Sequence, residues 1–403
     1  MRTHTVLLAM LACIGTSITA ADGQQFPDNP HFLTHAITSL AIEGLTGDDY
    51  GNLYTTGRAP ATEARCPLWQ IDPGGAILQI GSIGNIPAGC SPSGVTRDRQ
   101  GSFYIADSNQ GGVIWKLTAA NMNPSSPFVT GVPGTNGLAF DRHGNLWTGD
   151  GTTGRGRVWR ITPSGAVTEV FRIQPMRNGT ALGGNVAGDG VGRQVRAFPP
   201  GTATITVPAS ATPTVVTPAG GQDLVANGLV FNHQGDLIVA DTARGALWKI
   251  EFDAKGNVSS RMGCDATFAA NTLCLENIFV SHALLEGTDG IALDRAGNIW
   301  NAANERNAIV VVTHDRRVIE VFRNPLNAAG LRNSADGAGE AGNDHILEFP
   351  TSPFLSDHRF CVANSDNNRR DNSPNTAGEI NSGGPVGARG KISCLEEPLK
   401  IPG

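Results

Sequence analysis

Asn136-Gly-Leu-Ala-Phe-Asp-Arg-His-Gly-Asn-Leu-Trp147 reads as a short apolar strand, a tight turn and a second strand. The Asp-x-x-Gly-Asn corner carries the turn, since Asn and Gly tolerate the positive φ that a hairpin needs. The pattern occurs again as Glu43-Gly-Leu-Thr-Gly-Asp-Asp-Tyr-Gly-Asn-Leu-Tyr54, Ser93-Gly-Val-Thr-Arg-Asp-Arg-Gln-Gly-Ser-Phe-Tyr104, Asn227-Gly-Leu-Val-Phe-Asn-His-Gln-Gly-Asp-Leu-Ile238 and Asp289-Gly-Ile-Ala-Leu-Asp-Arg-Ala-Gly-Asn-Ile-Trp300. A unit this small cannot bury its apolar faces alone, so the copies must pack on one another.

A third strand follows each copy: Pro67–Ile71, Val113–Leu117, Val158–Ile161, Ala246–Ile250 and Ala308–Val312. Four of these five carry Trp near one point, as expected of an aromatic packed between neighbouring sheets. A further turn and a fourth strand, such as Ala166–Phe171 or Arg317–Phe322, complete the unit. Four antiparallel strands per 40–60 residues, roughly, describe a propeller blade. The repeat glycines at 44, 94, 137, 228 and 290 are 50, 43, 91 and 62 residues apart. A degenerate sixth copy spans Ser352–Ala363, with Gly390–Cys394 as its outer strand and His31–Ala41 supplying the strand that closes the ring. The expectation is an all-β, six-bladed β-propeller over residues 26–400, as a single domain.

The long interval marks an insertion between blades 3 and 4, at about 172–224. Within it Thr202–Val207 and Thr212–Val216 alternate like a hairpin, so a lid on one face and a seventh blade both stay open. Asn324–Asn343 and Asn364–Gly387 read as surface loops.

Fifty-one glycines and only 16% charged residues argue against long helices and coiled coils. A net charge of −6 gives no basic footprint, so no nucleic-acid partner is expected. Arg2 and His4, the apolar run Val6–Ile14 and the small residues up to Ala20-Ala21 have the layout of a secretory signal, residues 1–20. The run is too short to span a bilayer, which takes about 20 residues. Met10-Leu11-Ala12 before Cys13 is a poor lipobox. These features predict a secreted or periplasmic protein with no membrane association. Beyond Cys13 lie six cysteines, and an even number in an oxidising compartment suggests three disulfides. Proximity favours Cys66–Cys90, Cys264–Cys274 and Cys361–Cys394, although spacing alone does not decide the pairing.

The residue before each repeat glycine is the informative column: Glu43, Ser93, Asn136, Asn227, Asp289, and Ser352 in the degenerate copy. In a propeller this position begins the innermost strand, so the column gathers side chains from distant blades at one axial point. Glu, Asn, Asn and Asp are all oxygen donors and suit a hard cation, Ca²⁺ first and Mg²⁺ second. Zn²⁺ is disfavoured because no His or Cys occupies the column. Asn or Asp before Gly is also a common turn former, but four such residues at one repeat position outweigh that explanation.

This constellation resembles the gluconolactonase/senescence-marker-protein (regucalcin) family of six-bladed propellers. The resemblance implies a single divalent cation held by Glu43, Asn136, Asn227 and Asp289, and hydrolysis of a lactone or related ester as a small-molecule substrate. Under it, Asp289 is the candidate general base or nucleophile, and Ser93 is placed to hydrogen-bond substrate. The signal, the cysteines and the 172–224 segment depart from the family pattern and leave the substrate open.

Two other classes remain: a lyase or condensing enzyme on the same scaffold, and a binding propeller resembling NHL-repeat proteins with a structural cation. Fold does not choose among them. His282, seven residues before Asp289, is a candidate proton shuttle, with His31, His35, His345 and His358 near loops; His143 and His233 are expected on exposed turns. Asp189 and Arg193 lie in the insertion.

Overall fold

A computed structural model describes residues 31–59, 65–85, 89–109, 111–175, 224–263, 268–323, 346–347, 349–356, 359–365 and 390–395. Strand β1 (Phe32–Thr38) comes first in the chain but belongs to the last blade. Blade 1 comprises β2 (Ile42–Gly47), β3 (Leu53–Gly57), β4 (Cys66–Ile71) and β5 (Ile77–Ile83). Blade 2 is β6 (Pro92–Arg97), β7 (Phe103–Asp107), β8 (Val113–Leu117) and the two-residue β9 (Val129–Thr130). Blade 3 is β10 (Thr135–Phe140), β11 (Leu146–Asp150), β12 (Arg157–Ile161) and β13 (Val167–Arg172). Blade 4 is β14 (Leu229–Phe231), β15 (Leu237–Asp241), β16 (Ala246–Ile250) and β17 (Ile278–Ser281). Blade 5 is β18 (Thr288–Leu293), β19 (Ile299–Ala303), β20 (Ala308–Val312) and β21 (Val318–Arg323). Blade 6 is β22 (Pro350–Leu355), β23 (Phe360–Asn364), β24 (Gly390–Leu395) and, outermost, β1. The protein is thus a six-bladed propeller of four-stranded antiparallel sheets, as the repeat predicts.

Two expectations are corrected. Gly390–Leu395 is the third strand of blade 6, not its outer strand, because β1 pairs along its free edge from Phe32↔Leu395 to Thr38↔Gly390. The blade 3 pairing runs past 172, since Arg172 still pairs with Arg157 and the Ile173 amide donates to Gly156 O, so the insertion does not begin there. The segment 176–223, with its candidate hairpin, lies outside the described residues, as do the signal segment 1–20 and the loops 324–343 and 366–387.

The turns behave as their composition dictates. Gly51, Gly101, Gly144, Gly235 and Gly297 all have φ between 80° and 92°. In four copies the turn Asp accepts a hydrogen bond from the aromatic six residues later: Tyr54 to Asp48, Tyr104 to Asp98, Trp147 to Asp141 and Trp300 to Asp294. The first apolar strand and its return strand are thereby locked in register. Six apolar clusters fill the six blade interfaces. Trp115 and Trp248, from the third strands of blades 2 and 4, are fully buried. Each also donates its indole N–H to an Asp that ends the second strand, Asp107 and Asp241.

Disulfides join Cys66 to Cys90 and Cys361 to Cys394, two of the expected pairs. Cys274 is also disulfide-bonded, and Cys264 lies outside the described residues. No helix among the described residues is long and apolar enough to cross a membrane.

Candidate functional site

The column residues owe their direction to a repeated irregularity. In blade 1 the register moves from Ile42↔Gly57 to Leu45↔Thr55, so Glu43 and Gly44 together oppose Thr56. The same slip occurs at 93–94, 136–137, 289–290 and 351–352. A bulge of two residues against one turns the strand and re-aims its side chains. Here it does so at the mouth of the channel in blade after blade.

The glycine of each pair is dictated by the neighbouring blade. A Cβ on Gly44 would stand 2.2 Å from Ser93 O, one on Gly94 2.1 Å from Asn136 O, and one on Gly137 2.6 Å from Asn227 O. One on Gly228 would stand 2.3 Å from Asp289 O, and one on Gly290 2.4 Å from Thr351 O. Each glycine therefore admits the carbonyl of the next column residue, and the column is a continuous ring. Thr351 Oγ1 closes it by donating to Glu43 O at 2.8 Å. The sixth position is thus Thr351 rather than Ser352. The hairpin of blade 6 is one residue shorter, with Ser356 N bonded to Arg359 O where blade 1 bonds Asp48 N to Asn52 O.

The ring brings the predicted site residues together. Glu43, Ser93, Asn136, Asn227 and Asp289 are all buried. Asn136 Nδ2 donates to Glu43 Oε1 at 2.9 Å. Asn136 and Asn227 flank Gly151: a Cβ on that glycine would lie 2.6 Å from Asn136 Cβ and 2.7 Å from Asn227 Oδ1. Gly228 N donates to Asp289 O at 3.0 Å, which joins the Asn227 and Asp289 positions through the backbone. Ser93 Oγ donates to Thr135 O at 3.2 Å.

A second ring supports the first. Arg58 Nη2 is ion-paired with Glu43 Oε2, and Arg58 Nε donates to Pro92 O at 3.2 Å. Thr242 Oγ1 accepts from Asn227 Nδ2 at 3.1 Å and donates to Thr288 O at 2.8 Å. Asn304 Nδ2 donates to Asp289 Oδ2 at 2.9 Å. Arg58, Thr242 and Asn304 did not emerge from the repeat as read above, yet a signal exists. Arg58, Ser108, Gly151, Thr242 and Asn304 each lie fifteen residues after a column residue, immediately past the second strand.

Two carboxylates and two carboxamides in one ring form an all-oxygen donor set fit for a hard cation. Asn227 sharpens the test: it is 1% exposed, its Nδ2 is held by Thr242, and its Oδ1 has no hydrogen-bond partner. A buried acceptor left unsatisfied costs about 1–3 kcal/mol and marks a place for an ion or water. Behind the ring, the innermost strands enclose a channel cavity of about 350 Å³ walled by residues such as Val95, Leu138, Leu229 and Ile291. Two larger clefts, of about 670 and 410 Å³, lie among the hairpin turns of blades 2–4 and contain no column residue.

Among the described residues, the histidines stand apart from this chemistry. His282 is exposed and its Nδ1 accepts from Leu284 N. His35, on the outermost strand, pairs with Asp72 O and Arg359, and burial followed by the Arg359 charge lowers its pKa. His31, His143 and His233 are exposed. Asp189, Arg193, His345 and His358 lie outside the described residues.

A sequence profile described as the SMP-30/gluconolactonase/LRE-like region matches residues 199–330, a stretch that includes Asn227 and Asp289. No curated protein sequence matches the chain significantly. The fold is similar to that of a calcium-binding protein, regucalcin, from Agrobacterium tumefaciens, at 16% identity and TM-score 0.52 over 94% of this chain and 96% of that one. A luciferin-regenerating enzyme superposes with TM-score 0.53 at 12% identity, covering 93% of this chain and 98% of its own. A gluconolactonase from Xanthomonas campestris gives TM-score 0.51 at 12% identity, covering 94% and 95%. Such low identities speak for the fold alone. The chain is thus a six-bladed β-propeller, and its residues 199–330 resemble the SMP-30/gluconolactonase/LRE-like region.

Proposed function

We propose that this protein is an exported, Ca²⁺-dependent hydrolase that opens a small lactone or related ester at the channel mouth. The observation that supports this reading best is the meeting of Glu43, Asn136, Asn227 and Asp289 on one ring, with the buried Asn227 Oδ1 lacking a hydrogen-bond partner. Those four residues would hold the cation, with Mg²⁺ as the second choice. When bound, Ca²⁺ would supply Lewis-acid polarisation of the scissile carbonyl.

The chain's own residues do the rest. Asn304 fixes the rotation of the Asp289 carboxylate through Oδ2. Asp289 acts as general base: it takes a proton from water as the water oxygen adds to the carbonyl carbon. The same proton goes to the ring oxygen when the acyl C–O bond breaks, and the product is a hydroxy acid. Ser93 Oγ, whose own proton is committed to Thr135 O, retains lone pairs to accept from a substrate hydroxyl. Export is supported by the disulfides, which persist in oxidising compartments.

The test is metal analysis of the purified protein together with assays on aliphatic, sugar and aryl lactones, with and without chelator. One equivalent of Ca²⁺ and chelator-sensitive hydrolysis is the expected result. No bound cation, and no thermal stabilisation by added Ca²⁺, would overturn it.

A further inference from the structure

Arg58 is the one charged residue in the supporting ring: its counterparts are Ser108, Gly151, Thr242, Asn304 and, past the second strand of blade 6, Ser365. Its backbone amide donates to Ala41 O at 2.9 Å, its Nε donates to Pro92 O, and its Nη2 pairs with Glu43 Oε2. The side chain is anchored on blades 1 and 2 yet remains 29% exposed, at the rim above the buried Glu43. Thr242 and Asn304 orient their column residues with neutral groups. Orienting a column residue therefore needs no charge, and the guanidinium brings something more.

Building on the hydrolase reading above, we infer that Arg58 makes the rim selective for an anionic substrate, a lactone or ester that carries a carboxylate on the alkoxy carbon of its scissile C–O bond. Glu43 and Asp289 contribute two negative charges to the rim. A divalent cation and Arg58 contribute three positive ones, so the loaded rim is positive overall and favours an anion. A guanidinium keeps its charge at every physiological pH, and its planar fork matches a carboxylate. Because Pro92 O and Glu43 already hold the side chain, little rotamer entropy remains to be lost when substrate binds. The flanking residues of the ring, Ser93 and Thr351, are uncharged and do not oppose it.

The experiment compares two lactones that share one ring, 5-oxotetrahydrofuran-2-carboxylate and its neutral carboxamide, with the wild type, Arg58→Gln and Arg58→Lys. The wild type should prefer the carboxylate by about tenfold or more in kcat/KM, chiefly through KM. Arg58→Gln should bring that ratio to about one, and Arg58→Lys should retain part of it. In calorimetry the ring-opened product, 2-hydroxyglutarate, should bind Arg58→Gln about tenfold more weakly than wild type. A preference unchanged in Arg58→Gln, or absent from the wild type, overturns the inference. If neither lactone is hydrolysed the hydrolase reading fails separately, and calorimetry still decides: equal binding of 2-hydroxyglutarate to wild type and Arg58→Gln overturns the anion site. Thermal melts of both variants show whether any loss is simply unfolding.

Discussion

Asn136 Nδ2 donates to Glu43 Oε1 at 2.9 Å across 93 residues of sequence, so the first and third blades meet directly over the channel. Glu43 is gripped between this amide and the Arg58 guanidinium. Replacing Glu43 by Gln removes one of the two carboxylates from the donor set. Calorimetric titration with Ca²⁺ should show affinity lower by about tenfold or more, since site charge sets the affinity of oxygen-liganded Ca²⁺. Unchanged affinity would place the cation elsewhere.

Asp289→Asn keeps the shape of the side chain and removes its basicity. Turnover of a lactone substrate should fall by about 10²–10⁴-fold, the usual worth of a general base. The melting temperature should move little, because the hydrogen bond with Asn304 can be kept. Residual activity near the wild-type level would show that Asp289 only ligates.

Gly94→Ala tests the close approach that makes the column a ring. The new methyl would meet Asn136 O, 2.1 Å from where its Cβ must sit, and that oxygen is backbone and cannot swing aside. Denaturant unfolding should report a loss of about 1–3 kcal/mol. Ca²⁺ affinity should fall as well, since Asn136 would be pushed out of line. A loss below about 0.5 kcal/mol, within ordinary surface effects, would contradict the packing described here.

Replacing Cys361 and Cys394 by Ser should lower stability by about 2–4 kcal/mol, as for other natural disulfides. The two residues face each other across β23 and β24, so the bridge reinforces the blade that joins β1 to β24. Melting in the presence and absence of a reductant provides an independent check.

The hairpin turns contribute to the pH dependence of stability. Burial raises the Asp48 and Asp141 carboxyls, but hydrogen bonds outweigh it, from Asn52 and Tyr54 at one and from Trp147 and Asn145 at the other, together with backbone amides. Both pKa values end below the ordinary one. A depressed folded value gives stability that is present above the unfolded value, about 3.9, and lost as pH falls through the folded one. Tyr54 is pushed up to about 12, by burial first and then by Asp48. Its contribution is whole below the unfolded value of about 10 and is lost as pH rises through the folded one. These three groups should therefore make the melting temperature drop at both pH extremes. Asp48→Asn should shallow both limbs, and identical limbs in that variant would refute the assignment.

Much of this was legible in the sequence because a propeller writes its architecture as a period. The turn chemistry around Gly51 or Gly144 and the Trp of the third strand recur closely enough to fix strands and blades. The column was legible for the same reason: Glu43 and Asp289 acquire meaning only beside Asn136 and Asn227. Arg58, Thr242 and Asn304 escaped because their types differ, and only their constant offset from the column links them. The slip from Thr351 to Ser352 came from assuming that every hairpin has one length. No periodicity could reveal that Glu43 leans toward Arg58, since that pairing depends on the side chains of one blade.

The pairing of β1 with β24 has a consequence for how the protein is made. A chain that emerges from its amino end must hold Phe32–Thr38 in waiting while five blades form, because its partner strand β24 follows all of them in the chain. Until Gly390–Leu395 arrives, the assembly is an open arc with unsatisfied strand edges at both tips. Strand β24 therefore acts as a clasp, and a polypeptide truncated before it would be exposed to pairing with other chains rather than merely shortened.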